Sequence, residues 1–159
     1  MQTAAVLTVS DSVTQGTRDD ESGALAQRIL MENDIDEVKR AYVADDAEAI
    51  SKSLIDLVES GVDLVVTTGG TGLGPRDVTP EATKAILERD APGLPELMRA
   101  AGIAHTPLAA LARGVAGVRG RTLVVNLPGS PRAVRESLDA LLPVLPHALA
   151  LVAGNSEHD

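Results

Sequence analysis

The side chains able to do chemistry in this chain are acids and hydroxyls. Asp11 and Ser12, Asp19, Asp20 and Ser22, Asp45 and Asp46, and Asp77 and Thr79 cluster in short polar stretches, while cysteine is absent. The three histidines, His105, His147 and His158, are scattered without metal-ligand spacing, and no G-x-S-x-G elbow occurs. Thiol and serine nucleophiles, thiolate zinc and disulfides are therefore excluded or unsupported. Acids and hydroxyls without a histidine suit a different task, which is holding a divalent cation against anionic substrates.

The stretch TTGGTGLGPRDVTPEAT, Thr67 to Thr83, supplies the anion side of that chemistry. Glycines let backbone N–H groups approach a ligand, and a helix start adds unpaired donors and the positive end of the helix dipole. Gly74 is followed by Pro75 and Arg76, so a Walker phosphate loop is not present, and Gly70, Gly72 and Gly74 run G-x-G-x-G where a dinucleotide fingerprint needs G-x-G-x-x-G. A carboxylate at Asp77 beside such a loop would repel phosphates unless a cation lay between them. Magnesium is held in this way by one or two carboxylates plus substrate phosphates, and Asp45 is the natural partner. Arg76 could clamp a phosphate or stand in solvent. For Asp46 and Ser22, helix capping is the simpler role.

These residues need elements to position them. Ala4 to Val9 reads as a first strand, followed by a polar loop from Ser10 to Gly23 in which Ser22 caps a helix running through Leu30. Arg40 to Val43 reads as a second strand. Ala47, Ile50, Leu54, Leu57 and Val58 recur at three- and four-residue spacing, an amphipathic helix that Gly61 ends. Val62 to Val66 is a third strand leading into the glycine loop, and Thr79-Pro80-Glu81 predicts a helix whose N-cap is the Thr79 hydroxyl. Residues 91–120, with Pro92, Pro95 and Pro107, read as short helices and turns. Thr122 to Asn126 is a fourth strand, Leu127 to Pro131 (LPGSP) is a second Pro/Gly loop, and Val134, Leu138, Leu141, Leu142 and Leu145 continue a helix across Pro143.

Alternating strands and helices predict an α/β fold, a three-layer αβα sandwich with a mainly parallel sheet, whose ligands lie beyond the carboxyl ends of the strands. Loop 10–23, Asp45 and Asp46, loop 69–79 and loop 127–131 all follow strands and should converge on one edge. At 159 residues and without a linker, the chain is expected to form one domain over 1–159. Aromatics are 1% of residues, so the core must be aliphatic and base-stacking platforms are missing. A formal net charge of −9 repels polyanions and argues against a nucleic-acid partner. No segment has the length of a membrane span, and the N-terminus reads as a strand instead of a signal peptide, which predicts a soluble cytoplasmic protein without a membrane partner.

The glycine-loop signature, together with VSDS, the following D-x-S-G from Asp20 to Gly23, and NLPGSP from Asn126 to Pro131, resembles the molybdopterin adenylyltransferase (MogA/MoaB) family of molybdenum cofactor biosynthesis, and the corresponding domains of gephyrin. The resemblance spans essentially the whole chain. It implies a trimer or hexamer that binds molybdopterin, and, in adenylating members, use of ATP and magnesium to make adenylylated molybdopterin and pyrophosphate. A protein of the same pathway that binds molybdopterin without turnover is the alternative. By resemblance, Asp45 in VADD and Asp77 in PRDVTP are the catalytic and magnesium-holding acids. The matching motifs assign substrate and nucleotide binding to Ser10, Asp11, Ser12, Asp20, Ser22 and Gly23, to Thr68, Gly69, Gly70, Thr71, Gly72, Arg76 and Thr79, and to Pro128, Gly129 and Ser130. One departure stands in LARGVAG, Leu111 to Gly117, where many relatives carry Ser before the Arg and this chain has Ala112.

Overall fold

The computed structural model describes residues 1–155, so His158 lies outside the described residues. The elements are β1 (Thr3–Val9), α1 (Asp11–Thr14), α2 (Glu21–Glu32), β2 (Glu37–Val43), α3 (Ala47–Glu59), β3 (Leu64–Thr68), α4 (Thr79–Lys84), β4 (Arg89–Asp90), α5 (Gly93–Ile103), a 3-10 turn (Pro107–Leu111), β5 (Ala116–Arg119), β6 (Thr122–Leu127), α6 (Pro131–Leu141) and α7 (Leu145–Val152). They build one six-stranded sheet in the order β2-β1-β3-β6-β5-β4. β2, β1, β3 and β6 are mutually parallel, and β5 and β4 add an antiparallel edge.

The aliphatic runs do what a two-sided sheet requires. Along β1, Ala4 and Val6 face one core with Ile29, Leu30, Leu138 and Leu141, while Ala5, Leu7 and Val9 face another with Ile50, Leu54 and Ala82. All of these residues are 3% exposed or less, as expected of strands covered on both faces. The expected αβα sandwich is therefore present. The order also places β1 where the chain turns one way to β2 and the other way to β3, which opens a crevice at their carboxyl ends.

Several sequence expectations need correction. α2 is capped by Asp20, whose carboxylate accepts the Gly23 N–H at 2.9 Å, and Ser22 lies inside the helix with its hydroxyl donated to Gly129 O at 2.6 Å. α4 begins after Val78 with no side-chain cap, because the Thr79 hydroxyl is turned away to Gly69 O. Helix 134–145 is not continuous: Pro143 lacks the N–H that a helix interior needs, and the chain breaks into α6 and α7. β5, of four residues, arises within the segment 91–120 read as short helices and turns, and the two-residue β4 lies just before it. Asp46 caps α3 as expected, accepting the Ala49 N–H at 2.9 Å.

Candidate functional site

The four strand-end loops meet. Asp11 and Asp45 exchange a reciprocal pair of bonds, each carboxylate accepting the other residue's N–H at 3.0 Å. Arg76 reaches across from the glycine loop, donating from Nε to Asp11 Oδ2 at 2.8 Å and from Nη2 to the Asp45 carbonyl at 3.1 Å. Ser22 ties the first loop to Gly129, and a Cβ on Gly129 would lie 3.3 Å from Gly69 Cα. Loops 10–23, 44–46, 69–78 and 128–130 thus form one rim above β1 and β3.

The glycine loop is held in a conformation other residues resist. Gly69 and Gly70 have φ of +93° and +68°. A Cβ at Gly69 would sit 2.3 Å from Val9 O, and one at Gly70 would sit 2.3 Å from Thr79 Oγ1, so both positions need the missing side chain twice over. At Gly72 only room is at stake, since a Cβ there would lie 3.0 Å from Asp77 Oδ2 and press on that carboxylate. Among the described residues, the N–H groups of Gly70, Thr71, Gly72 and Leu73 donate to no acceptor. Unpaired amides in a turn with positive φ make an anion-binding concavity.

The acids differ in freedom. Asp77 Oδ2 accepts the Gly74 N–H at 2.9 Å, closing a turn within the loop. Asp45 is partly buried, and burial pushes its carboxyl above the usual aspartate range; the Asp11 N–H pulls it down, the charge of Asp11 pushes it up again, Arg76 pulls down, and Asp77 adds a last push upward. Asp11 is held below that range by the Asp45 N–H and by Arg76, against the cost of desolvation. Asp20 is committed elsewhere: burial raises its carboxyl, but bonds from the Thr8 hydroxyl, the Gly23 N–H and Arg40 outweigh it and hold it low. It is a brace for the first loop. Ser10 caps the four-residue α1 and shares a hydrogen bond with Ser12 at 3.1 Å. Ser130 caps α6, and Pro128 and Thr71 border a neighbouring cavity. Thr68 is the last residue of β3 and is buried.

That cavity, about 260 Å³, lies between the loops and the α5 and 3-10 segment, and its walls include Met98, Arg99, Ala112, Ser130 and Ser137. Ala112, the departure noted above, therefore faces a candidate ligand space. Sequence reading missed Arg99, Arg113, Asn126 and Ser137. Asn126 is 1% exposed and donates to Thr67 and Thr83 at 3.0 and 2.9 Å while accepting the Val115 N–H, which fixes the floor under the loop. Its place in NLPGSP was visible, but its inward aim was not. His105 and His147 are exposed, in keeping with surface roles.

A mainly parallel α/β sheet with unpaired loop amides and carboxylates gathered at its switch point defines an α/β protein whose polar site lies beyond the strand ends. The sequence matches the probable molybdopterin binding domain family over residues 5–147. It is 44% identical over 153 residues to the molybdopterin adenylyltransferase of Helicobacter pylori strain J99, spanning 94% of this chain and 87% of that protein. Among solved structures, the molybdopterin biosynthesis Mog protein from Mycobacterium ulcerans superposes with a TM-score of 0.91 at 41% identity, covering 96% of this chain and all of that one. The molybdopterin biosynthesis enzyme MoaB from Thermus thermophilus does so with a TM-score of 0.87 at 50% identity, over 97% and 98% of the two chains. The chain belongs to the molybdopterin-binding domain family of molybdenum cofactor biosynthesis.

Proposed function

We infer that the protein is a molybdopterin adenylyltransferase, joining the adenylyl group of ATP to the terminal phosphate of molybdopterin and releasing pyrophosphate. The observation that carries the reading is the run of free amides from Gly70 to Leu73 beside Asp45 and Asp77, an anion site and a pair of acids at one sheet edge. The name and coverage of the Helicobacter pylori relative support the same activity.

The residues match what this reaction demands. A phosphate monoester has its second pKa near about 6, so the attacking phosphate is already mostly dianionic at neutral pH. No general base is needed. The attacking phosphate oxygen bonds to the α-phosphorus as the bond to the bridging oxygen breaks and pyrophosphate leaves. The protein must bring two anions together and offset charge around the α-phosphate. The amides of Gly70 to Leu73 supply donors. Asp45 and Asp77 would hold magnesium against the nucleotide phosphates, and the raised carboxyl of Asp45, pressed by burial and by neighbouring acids, fits a cation there. Arg76 holds Asp11 in place, a role that leaves the glycine-loop amides as the principal phosphate donors.

The rim residues Ser10, Ser12, Ser22, Gly23, Thr68, Gly69, Pro128 and Gly129 shape the same site, and the cavity past Thr71 and Ser130 would take the pterin. The molecule is a homotrimer or hexamer working in the cytoplasm. Incubation with molybdopterin, ATP and magnesium tests the activity: adenylylated molybdopterin and pyrophosphate should appear in equal amounts.

A further inference from the structure

Arg113, in the short segment between the 3-10 turn and β5, makes an unusual set of contacts with the glycine loop. Its N–H donates to Thr71 O at 2.9 Å, its Nε to Gly72 O at 2.7 Å and its Nη2 to Asp77 O at 2.8 Å. Nη1 pairs with Glu81 on α4. Thr79, fully buried, takes the two preceding carbonyls: its hydroxyl donates to Gly69 O at 3.0 Å and its N–H to Gly70 O at 3.1 Å.

Four successive carbonyls, of Gly69, Gly70, Thr71 and Gly72, are therefore all pinned toward α4 and Arg113. No cis peptide bond occurs among the described residues, and in a trans peptide the N–H points opposite to the C=O it is bonded to. The partners of those carbonyls are the N–H groups of Gly70, Thr71, Gly72 and Leu73, the same four that donate to nothing. Pinning the oxygens on one side is what leaves the amides facing the other. The guanidinium fork suits this, because its donors diverge in a fixed plane and reach both limbs of the loop at once. Arg99 in turn steadies the segment, with Nη1 3.3 Å from Ala112 O and 3.4 Å from Gly114 O.

We propose that Arg113 is a positioning residue which, holding the Gly72 and Asp77 carbonyls with its guanidinium and the Thr71 carbonyl with its N–H, presents the Gly72 and Leu73 amides to the substrate phosphates beside the Gly70 and Thr71 amides that Thr79 orients, and sets the place of Asp77. Only the kinetic arm of its test rests on the adenylyl-transfer reading. Arg113 touches no substrate in this account; its charge lies behind the loop and its effect passes through the peptide units.

The test follows the four loop amides by nitrogen-15 NMR while inorganic pyrophosphate is added to the full chain, its Arg113→Ala variant and its Arg113→Lys variant. In the parent, the four resonances should shift and saturate together. In Arg113→Ala, pyrophosphate affinity should fall at least about tenfold, the scale on which small misplacements of a binding group act. Arg113→Lys should lie between, since an ammonium on a single stem cannot span both limbs. Added guanidinium ion at millimolar concentration should restore part of the affinity to Arg113→Ala, which a variant damaged only in stability would not show. In turnover, kcat should fall more than the KM for molybdopterin rises. Arg113→Ala with an intact core spectrum and parent affinity overturns the proposal, as does a parent whose four amides ignore pyrophosphate. If Arg113→Ala does not fold, parent affinity in Arg113→Lys overturns it equally. Amides that respond in the parent and not in the variants, in a protein that makes no adenylylated product, would leave the clamp standing and remove the enzymatic reading.

Discussion

Asp77 uses one carboxylate oxygen, Oδ2, to hold the Gly74 N–H, and the amide oxygen of asparagine can do the same. Asp77→Asn should therefore keep the turn and the thermal midpoint close to the parent's while removing the charge that a magnesium ion needs. Adenylyl transfer should then fall by at least about a hundredfold, the order found when one electrostatic contribution to a transition state is deleted. Asp45→Asn should act in the same direction, and the double variant should lose less than the product of the two if both acids hold the proposed cation. Turnover and thermal midpoint measured on one preparation check this, and an active but destabilised Asp77→Asn would confine Asp77 to its turn. Asp20 gives a separate outcome in pH. Its carboxyl is held low in the folded chain, so its stabilising effect is complete above the unfolded value near about 3.9 and is lost as pH falls through the folded one. The gap in thermal midpoint between the parent and Asp20→Asn should be widest near neutrality and shrink as acidity increases below about pH 4. A gap independent of pH would contradict the assignment. At this scale the sequence announced which residues would gather, but it gave the cap of α2 to Ser22 where Asp20 takes it. Asp20 and Ser22 both have cap-forming side chains two positions apart, and only the approach of Gly129 and Arg40 decides which one caps.

The glycine loop is the element on which binding rests, and its glycines are not equivalent. Gly70 combines positive φ with a blocked Cβ position, so Gly70→Ala should weaken pyrophosphate binding strongly while leaving the sheet folded. Gly72→Ala faces only the Asp77 carboxylate and should be milder, and calorimetric titration of both variants would rank them. A Gly70→Ala protein binding like the parent would reduce the loop to a connector. The parallel strands and α3 were legible because each is an apolar run or a periodic apolar pattern with a stop signal, and the loop because its glycines lead into a Pro-Glu helix start. β4 and β5 were not, since two residues, Arg89 and Asp90, and the four of Ala116–Arg119 carry too little pattern to separate a strand from a turn. Their pairing with each other and with β6 is a tertiary fact.

At the scale of the molecule, the sheet order puts every acid and hydroxyl of the rim at one edge, which is why alternating strands and helices sufficed to predict convergence. Arg113 lay beyond that reasoning, because its reach to Gly72 spans 41 positions of sequence and depends on the antiparallel edge. In the apolar 134–152 segment Val134, Leu138, Leu141, Leu145 and Leu149 are taken by the chain's own core, while Val144 and Leu151 stay exposed. If the chain assembles as the family resemblance implies, light scattering at micromolar concentration should give three or six times the 16.4 kDa of one chain; a clean monomer would oppose it. No helix among the described residues is long and apolar enough to cross a membrane. Whether the rim transfers an adenylyl group to molybdopterin is decided by the yield of adenylylated molybdopterin from molybdopterin, ATP and magnesium. The parent should give product and pyrophosphate in equal amounts, and Asp77→Asn at least about a hundredfold less. Tight binding of molybdopterin by a folded parent that forms no product and consumes no ATP would contradict it.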